Sequence, residues 1–174
     1  MLLVKAKGGG PLIEYQLYTE DDFMQAYQAY KNTVFGIALN YTKNKEDAND
    51  ILQEVFTKFY LSDKTFNCEE HKKAWLIRVT VNACKKHLLS SWWKRTVPLD
   101  NTIPFENEAD FALIEAVMSL PRSYRIVVHL YYYEGYKISE IADLLDDKES
   151  TIKVRLMRAR KKLKHKLKED WKDE

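Results

Sequence analysis

Between Ser150 and Lys168 stand nine Lys or Arg residues and no acid. The whole chain has 28 basic and 26 acidic residues, so the remainder carries a net charge of −7. A basic end on a mildly acidic body is the asymmetry of a polyanion-binding arm; a solvated helix face is the alternative that charge alone leaves open. A second constellation is Trp75, Arg78, Asn82, Lys85 and Lys86. An indole among cations and an amide suits an unstacked nucleobase, with the ring as stacking plane and the cations on phosphates. Packing of Trp75 against a neighbouring helix explains the same tryptophan equally well. A third pattern, Cys68-x2-His71 and Cys84-x2-His87, imitates zinc-ligand spacing. If residues 72–88 form one helix, His71 and Cys84 stand about 20 Å apart, too far for one tetrahedral site, so no metal and no cofactor is expected.

The elements that carry these residues are helical. Thr19 followed by Glu20, Asp21 and Asp22 reads as a capped, acidic helix start. Phe23, Tyr27, Tyr30, Val34, Ile37 and Tyr41 then recur at helical steps. A second helix is predicted over about 45–61, with Asn44 as its cap and Ala48, Leu52, Val55 and Phe59 turned inward. Its opposite face gathers Asp47, Asp50 and Glu54 within a 60° arc at 100° per residue, a stripe that serves either solvation or docking. A third helix over about 72–89 has Ala74, Ile77, Val81, Cys84 and Leu88 as its core face, leaving Trp75, Arg78, Asn82, Lys85 and Lys86 opposite. Residues 90–110 break the periodicity with Pro98 and Pro104 and read as a linker. Helical segments follow over 111–119 and 122–134, punctuated by Pro121 and Gly135. Last come a short helix over 138–145, a turn at 146–149, and a basic helix with Ile152, Leu156, Ala159 and Leu163 as its apolar stripe. The other sides of that helix present Thr151, Lys153, Arg155, Arg158 and Lys162. Helix, turn and basic helix make a helix-turn-helix, whose second helix enters the DNA major groove.

Composition agrees with an all-α fold. Five glycines and four prolines in 174 residues argue against a turn-dense β fold, and the length suits one core of ordinary size or two small ones. The opening apolar run ends at Lys5, too short for a signal-peptide core, and no segment approaches a membrane span; a cytoplasmic location is expected. Two cysteines make no disulfide framework.

Three stretches in order, residues 47–60 (DANDILQEVFTKFY), 74–88 (AWLIRVTVNACKKHL) and 120–167, resemble the extracytoplasmic-function group of bacterial sigma factors. The resemblance covers about 20–168 and implies an N-terminal tail over 1–18, a region two over 19–91, a linker over 92–110 and a region four over 111–170. It implies a protein that is not an enzyme and that gives RNA polymerase core its promoter specificity. By the same resemblance Asp47, Asp50, Gln53, Glu54 and Phe56 dock on the polymerase. Trp75, Arg78 and Asn82, with Lys85, Lys86 and the loop from Lys64 to Asn67, handle the melted strand of the minus-ten element. Ser150, Thr151, Lys153, Arg155 and Arg158 approach the minus-thirty-five element, while Lys162 neutralises phosphate. An anti-sigma factor is implied as a further partner. The turn has Asp146 where the family usually has glycine, and Asp is among the few residues that tolerate a left-handed backbone. His71, Trp92 and Trp93 match no family role.

Two rival readings remain. An ordinary helix-turn-helix operator-binding regulator would leave Trp75 and the acidic stripe without purpose. A metal-dependent hydrolase would need clustered ligands, whereas His71, His87, His129 and His165 are scattered over both expected domains.

Overall fold

The computed structural model describes residues 19–90 and 108–170, which form seven α-helices and one π turn. Helix α1 (Glu20–Thr42) begins as its sequence dictates. Thr19 accepts from the Asp22 backbone N–H at 3.1 Å, and the Asp22 carboxylate closes a reciprocal capping box. Asn44 caps α2 (Lys45–Tyr60) by accepting from the N–H groups of Glu46 and Asp47 at 2.8 and 3.0 Å. With α3 (Glu69–Ser90), these helices pack mutually around Ile37, Ile51, Val55, Phe59 and Ile77. The expected stripes hold, although Leu52 and Leu88 are only half-buried while Ile51 and Phe56 are wholly buried.

The C-terminal half contains α4 (Glu108–Ser119), α5 (Arg122–Val128), α6 (Ile138–Leu145) and α7 (Glu149–Asp170). Residues 122–134 do not form one α-helix as their pattern suggests. After Val128 the chain widens into a π turn, His129–Tyr133, in which the Glu134 N–H reaches back five residues to the His129 carbonyl at 3.1 Å. Asp146 takes a left-handed backbone, φ 56°, at the end of α6, and so fills the position expected of glycine in this helix-turn-helix. Ile152, Leu156 and Ala159 are buried along α7, and Leu163 is half-buried.

The two halves do not keep separate cores. Ile126, Val127, Leu130, Ile141, Leu144, Ile152 and Leu156 belong to the same cluster as Ile37, Phe59 and Ile77. Helix α5 packs on α1, and α6 packs on α3. Leu120, Val128 and Ala159 form a smaller satellite with Val117, Tyr124 and Leu163 around them. Residues 1–18 and 91–107, with Trp92 and Trp93 and most of the expected linker, lie outside the described residues.

Cys68 is exposed ahead of α3, whereas Cys84 is wholly buried, and burial pushes its thiol up to about 12. The thiolate is the reactive form, so Cys84 is chemically silent at neutral pH. A disulfide-exchange reagent at pH 8 should therefore titrate one thiol rapidly in the native chain and the second only after denaturation. Two equally fast thiols would contradict the placement of Cys84 in the core.

Candidate nucleic-acid interface

Helix α7 delivers the basic charge in a graded way. Ser150, Lys153, Arg158, Lys161, Lys162 and Lys164 are exposed, and Thr151 and Arg155 are half-buried. The Arg155 guanidinium pairs with Asp147 of the preceding turn at 2.7 Å, so this residue ties α7 to the turn as well as facing outward. Burial works against ionisation of Asp147, yet the Lys148 backbone N–H and Arg155 hold its carboxyl below the usual range. Lys153 makes only a long, exposed pair with Glu149 at 3.6 Å, worth little in water. Arg160 leaves the reading face altogether. Its Nε donates to the Tyr132 hydroxyl at 2.6 Å, and the guanidinium lies 5.6 Å from the ring centroids of both Tyr131 and Tyr132. Further along, Arg158, Lys161, Lys162, His165 and Lys166 line an open groove of about 630 Å³ against Ser119, Leu120, Pro121 and Tyr124.

On α3, Arg78, Asn82, Lys85 and Lys86 are exposed on one side. Trp75 is not a free stacking plane. It is half-buried, with its ring 5.6 Å from that of Phe66 and 6.1 Å from that of Phe59. Packing against neighbouring aromatics, the alternative that the sequence left open, accounts for this indole. Trp75 thereby pins the loop carrying Lys64 and Asn67, both exposed, against the helix that presents Arg78 and Asn82. Lys85 donates to the Leu145 carbonyl at 3.4 Å, so one cation of the α3 face already touches the helix-turn-helix.

The acidic stripe of α2 is partly committed. Asp50 and Gln53 are exposed. Asp47 lies 3.3 Å from His87 Nε2 of α3. Glu54 accepts from Lys58 at 2.6 Å, and that hydrogen bond lowers its carboxyl against a smaller opposing effect of burial. Phe56, expected among the docking residues, is 2 % exposed and lies edge-on to Tyr27 at 4.9 Å. It supports the stripe from beneath, because its position on the helix shares the inward turn of Phe59. A shallow apolar groove beside it runs between α1 and α2, lined by Phe23, Met24, Tyr27, Gln53, Tyr60 and Leu61.

Sequence reasoning overlooked the polar contacts between the halves. Arg125 is 3 % exposed, and its Nε and Nη1 donate to the carbonyls of Asn40 and Leu120 at 2.9 and 2.6 Å. Burial, and then the nearby Arg122, pull its guanidinium down to about 10, so it stays charged at neutral pH. Glu134 has a 4 % exposed side chain paired with Lys73 of α3 at 2.8 Å; Thr33 of α1 donates to it at 3.3 Å, and His129 Nε2 stands 3.6 Å away. Although burial pushes its carboxyl up, His129 and Lys73 bring it down to about 2. The packing of the two halves therefore has the full benefit of this carboxylate above the ordinary value of 4.5, and loses it only as pH falls toward about 2. Charges of this kind are invisible to periodicity, which assigns them to solvent.

Residues 26–94 match the Sigma-70 region 2 family and residues 110–163 the Sigma-70 region 4 family. RNA polymerase sigma factor SigV of Bacillus subtilis is 32% identical over 148 residues, spanning 81% of this chain and 89% of that protein. ECF RNA polymerase sigma factor SigM of Mycobacterium tuberculosis is 30% identical, spanning 81% and 74%. Among solved structures, the sigma factor RpoE in complex with the anti-sigma factor NepR from Bartonella quintana shares the fold at a TM-score of 0.69 and 20% identity, covering 85% of this chain and 98% of that one. CnrH in complex with the cytosolic domain of CnrY does so at 0.62 and 21%, covering 87% and 91%. Among the described residues no helix is long and apolar enough to cross a membrane. The two family matches in order, and relatives aligned along most of their length, place this chain in the ECF sigma factors, and its function is to direct promoter-specific transcription.

Proposed function

We propose that the chain docks on RNA polymerase core through the acidic stripe of α2, reads the duplex minus-thirty-five element with α7, and holds the melted minus-ten strand on α3. The exposed basic face of α7, rising directly from the Asp146 turn, is the observation that carries this reading. A helix presented in that way enters the major groove with its first turns at base edges and its later cations at phosphates. On this basis Ser150, Thr151, Lys153, Arg155 and Arg158 meet the promoter first, and Lys162 neutralises charge. Arg78, Asn82, Lys85 and Lys86, with Lys64 and Asn67 on the loop braced by Trp75, contact the single strand. A base captured there offsets a few kcal/mol of unpairing. The chain performs no catalysis of its own and works in the cytoplasm beside polymerase. An anti-sigma factor is the natural regulator, since the sigma factor RpoE, of the same fold, is found in complex with the anti-sigma factor NepR.

Transcription in vitro with purified core polymerase on a genomic promoter library tests the whole reading. Promoter-specific transcripts that depend on this chain are expected; polymerase unaffected by it would refute the reading. Such a library also returns the promoter sequence.

Three variant sets test the parts. Charge reversal at Asp50 and Glu54 should weaken core binding, while folding changes by only about 0.5 kcal/mol as for exposed sites; unchanged affinity would return the stripe to solvation. Arg158→Ala should cost about 1–3 kcal/mol and relax preference at one promoter position. Lys162→Ala should instead weaken every sequence alike and flatten the salt dependence. Uniform loss in both would make Arg158 a phosphate contact. Finally, the Arg78→Ala, Asn82→Ala pair should abolish permanganate reactivity of thymines near the start site, with the circular dichroism of the chain unchanged. Normal reactivity in that pair would remove α3 from strand capture.

A further inference from the structure

Helix α7 has an apolar spot in the middle of its basic side. Val154 is 40% exposed and Met157 61%, although nine Lys or Arg residues share the stretch from Ser150 to Lys168. Single exposed apolar residues are ordinary. These two stand three positions apart, so their side chains adjoin on the helix surface. At about 100° per residue, Val154 points about 170° away from the mean direction of the buried Ile152, Leu156 and Ala159. It faces directly away from the core.

Two of the arginines around it are turned aside. Arg155 gives a nitrogen to Asp147 at 2.7 Å, and Arg160 donates to the Tyr132 hydroxyl at 2.6 Å. In the first half of α7 this leaves Ser150, Val154, Met157 and Arg158 along the exposed side, with Lys153 at its edge. Valine is a poor residue for an exposed helical position, because its branched side chain loses freedom against the preceding turn.

We propose that Val154, with Met157 beside it, is a specificity-determining contact to the C5-methyl group of a thymine in the minus-thirty-five duplex. The inference rests on the assignment of α7 to that element. Valine neither donates nor accepts a hydrogen bond. On the major-groove edge of DNA the bases offer donors and acceptors, and the thymine methyl is the apolar group among them. A recognition helix meets base edges with its first turns, and Val154 is the sixth residue of α7. The frame of Lys153, Arg158 and Lys162 fits a polyanion, so an apolar spot inside it matches a methyl group lying between two rows of phosphates.

Replacing thymine with deoxyuridine removes this methyl and leaves base pairing unchanged. On a promoter recovered from the library, each thymine of the minus-thirty-five element is replaced in turn, and equilibrium binding of polymerase carrying the chain is measured. At one thymine, uracil should weaken wild-type binding about fourfold, the worth of one buried methyl group. Val154→Ser should bind thymine and uracil alike at that position with its helicity unchanged, and Met157→Gln should narrow the difference. Lys162→Ala should weaken binding to both duplexes and keep the fourfold ratio. An element without thymine, or one that tolerates uracil everywhere, overturns the proposal. A uracil penalty that persists in Val154→Ser overturns it too. Weaker binding of Val154→Ser to core polymerase without DNA, and no uracil effect, would make the spot a protein contact instead. Binding indifferent to the whole minus-thirty-five sequence would refute the assignment of α7 itself, and is distinct from each of these results.

Discussion

The two helices that precede the basic helix α7 are too short to make a core of their own. Helix α5 has seven residues and α6 has eight, and an isolated helix below about 12 residues is marginal in water. Their apolar faces have to be covered. Ile126, Leu130, Ile141 and Leu145 find that cover against the N-terminal half, where α5 packs on α1 and α6 on α3, and Ile152 and Leu156 of α7 join the same cluster. The arrangement of the exposed basic residues follows from this burial, since the side of α7 that sinks Ile152, Leu156 and Ala159 fixes which side offers Lys153 and Arg158.

The same constraint explains the features of α3. Its stripe of Ile77, Val81 and Cys84 meets α1 and α2 as expected, yet Leu76, Thr80 and Ala83 are buried as well. Thr80 survives burial because its hydroxyl donates back to the Leu76 carbonyl at 2.7 Å. Along the middle of the helix a narrow strip of Arg78, Asn82, Lys85 and Lys86 stays exposed. Trp75 lies at its margin, where it can hold Phe66 and the preceding loop in place.

Much of this was legible in the sequence. The ends of α1 and α2 were signalled by Thr19 and Asn44, whose side chains make the capping bonds their types suggest, and α6 ends where Asp146 turns left-handed. These are local devices, set by neighbours a few residues away. The π turn was not legible, because one added residue per turn is selected by the fit of His129 against Gly36, more than ninety positions distant. Arg125 and Glu134 were missed for the same reason: their charges are satisfied by Asn40, Lys73 and Thr33 from the other half of the chain. Phe56 was assigned to polymerase docking by resemblance, whereas the helical side it shares with Phe59 turns it inward.

The chemistry of the contact between the halves bears on how it can part. An interface sealed by aliphatic side chains alone would gain stability, since replacing a buried ion pair with well-packed hydrophobic residues is often worth about 1–4 kcal/mol. It would also leave nothing but apolar surface for water on separation. Here Arg125, Glu134 and Lys73 recover hydration when the halves part, which offsets some of the cost of exposing Ile126 and Leu130. These hydrogen bonds and ion pairs need close contact in one register, so they define how the halves pack. Parting the halves would therefore break these polar contacts together with the apolar cluster that Ile126 and Leu130 share with Ile37 and Ile77.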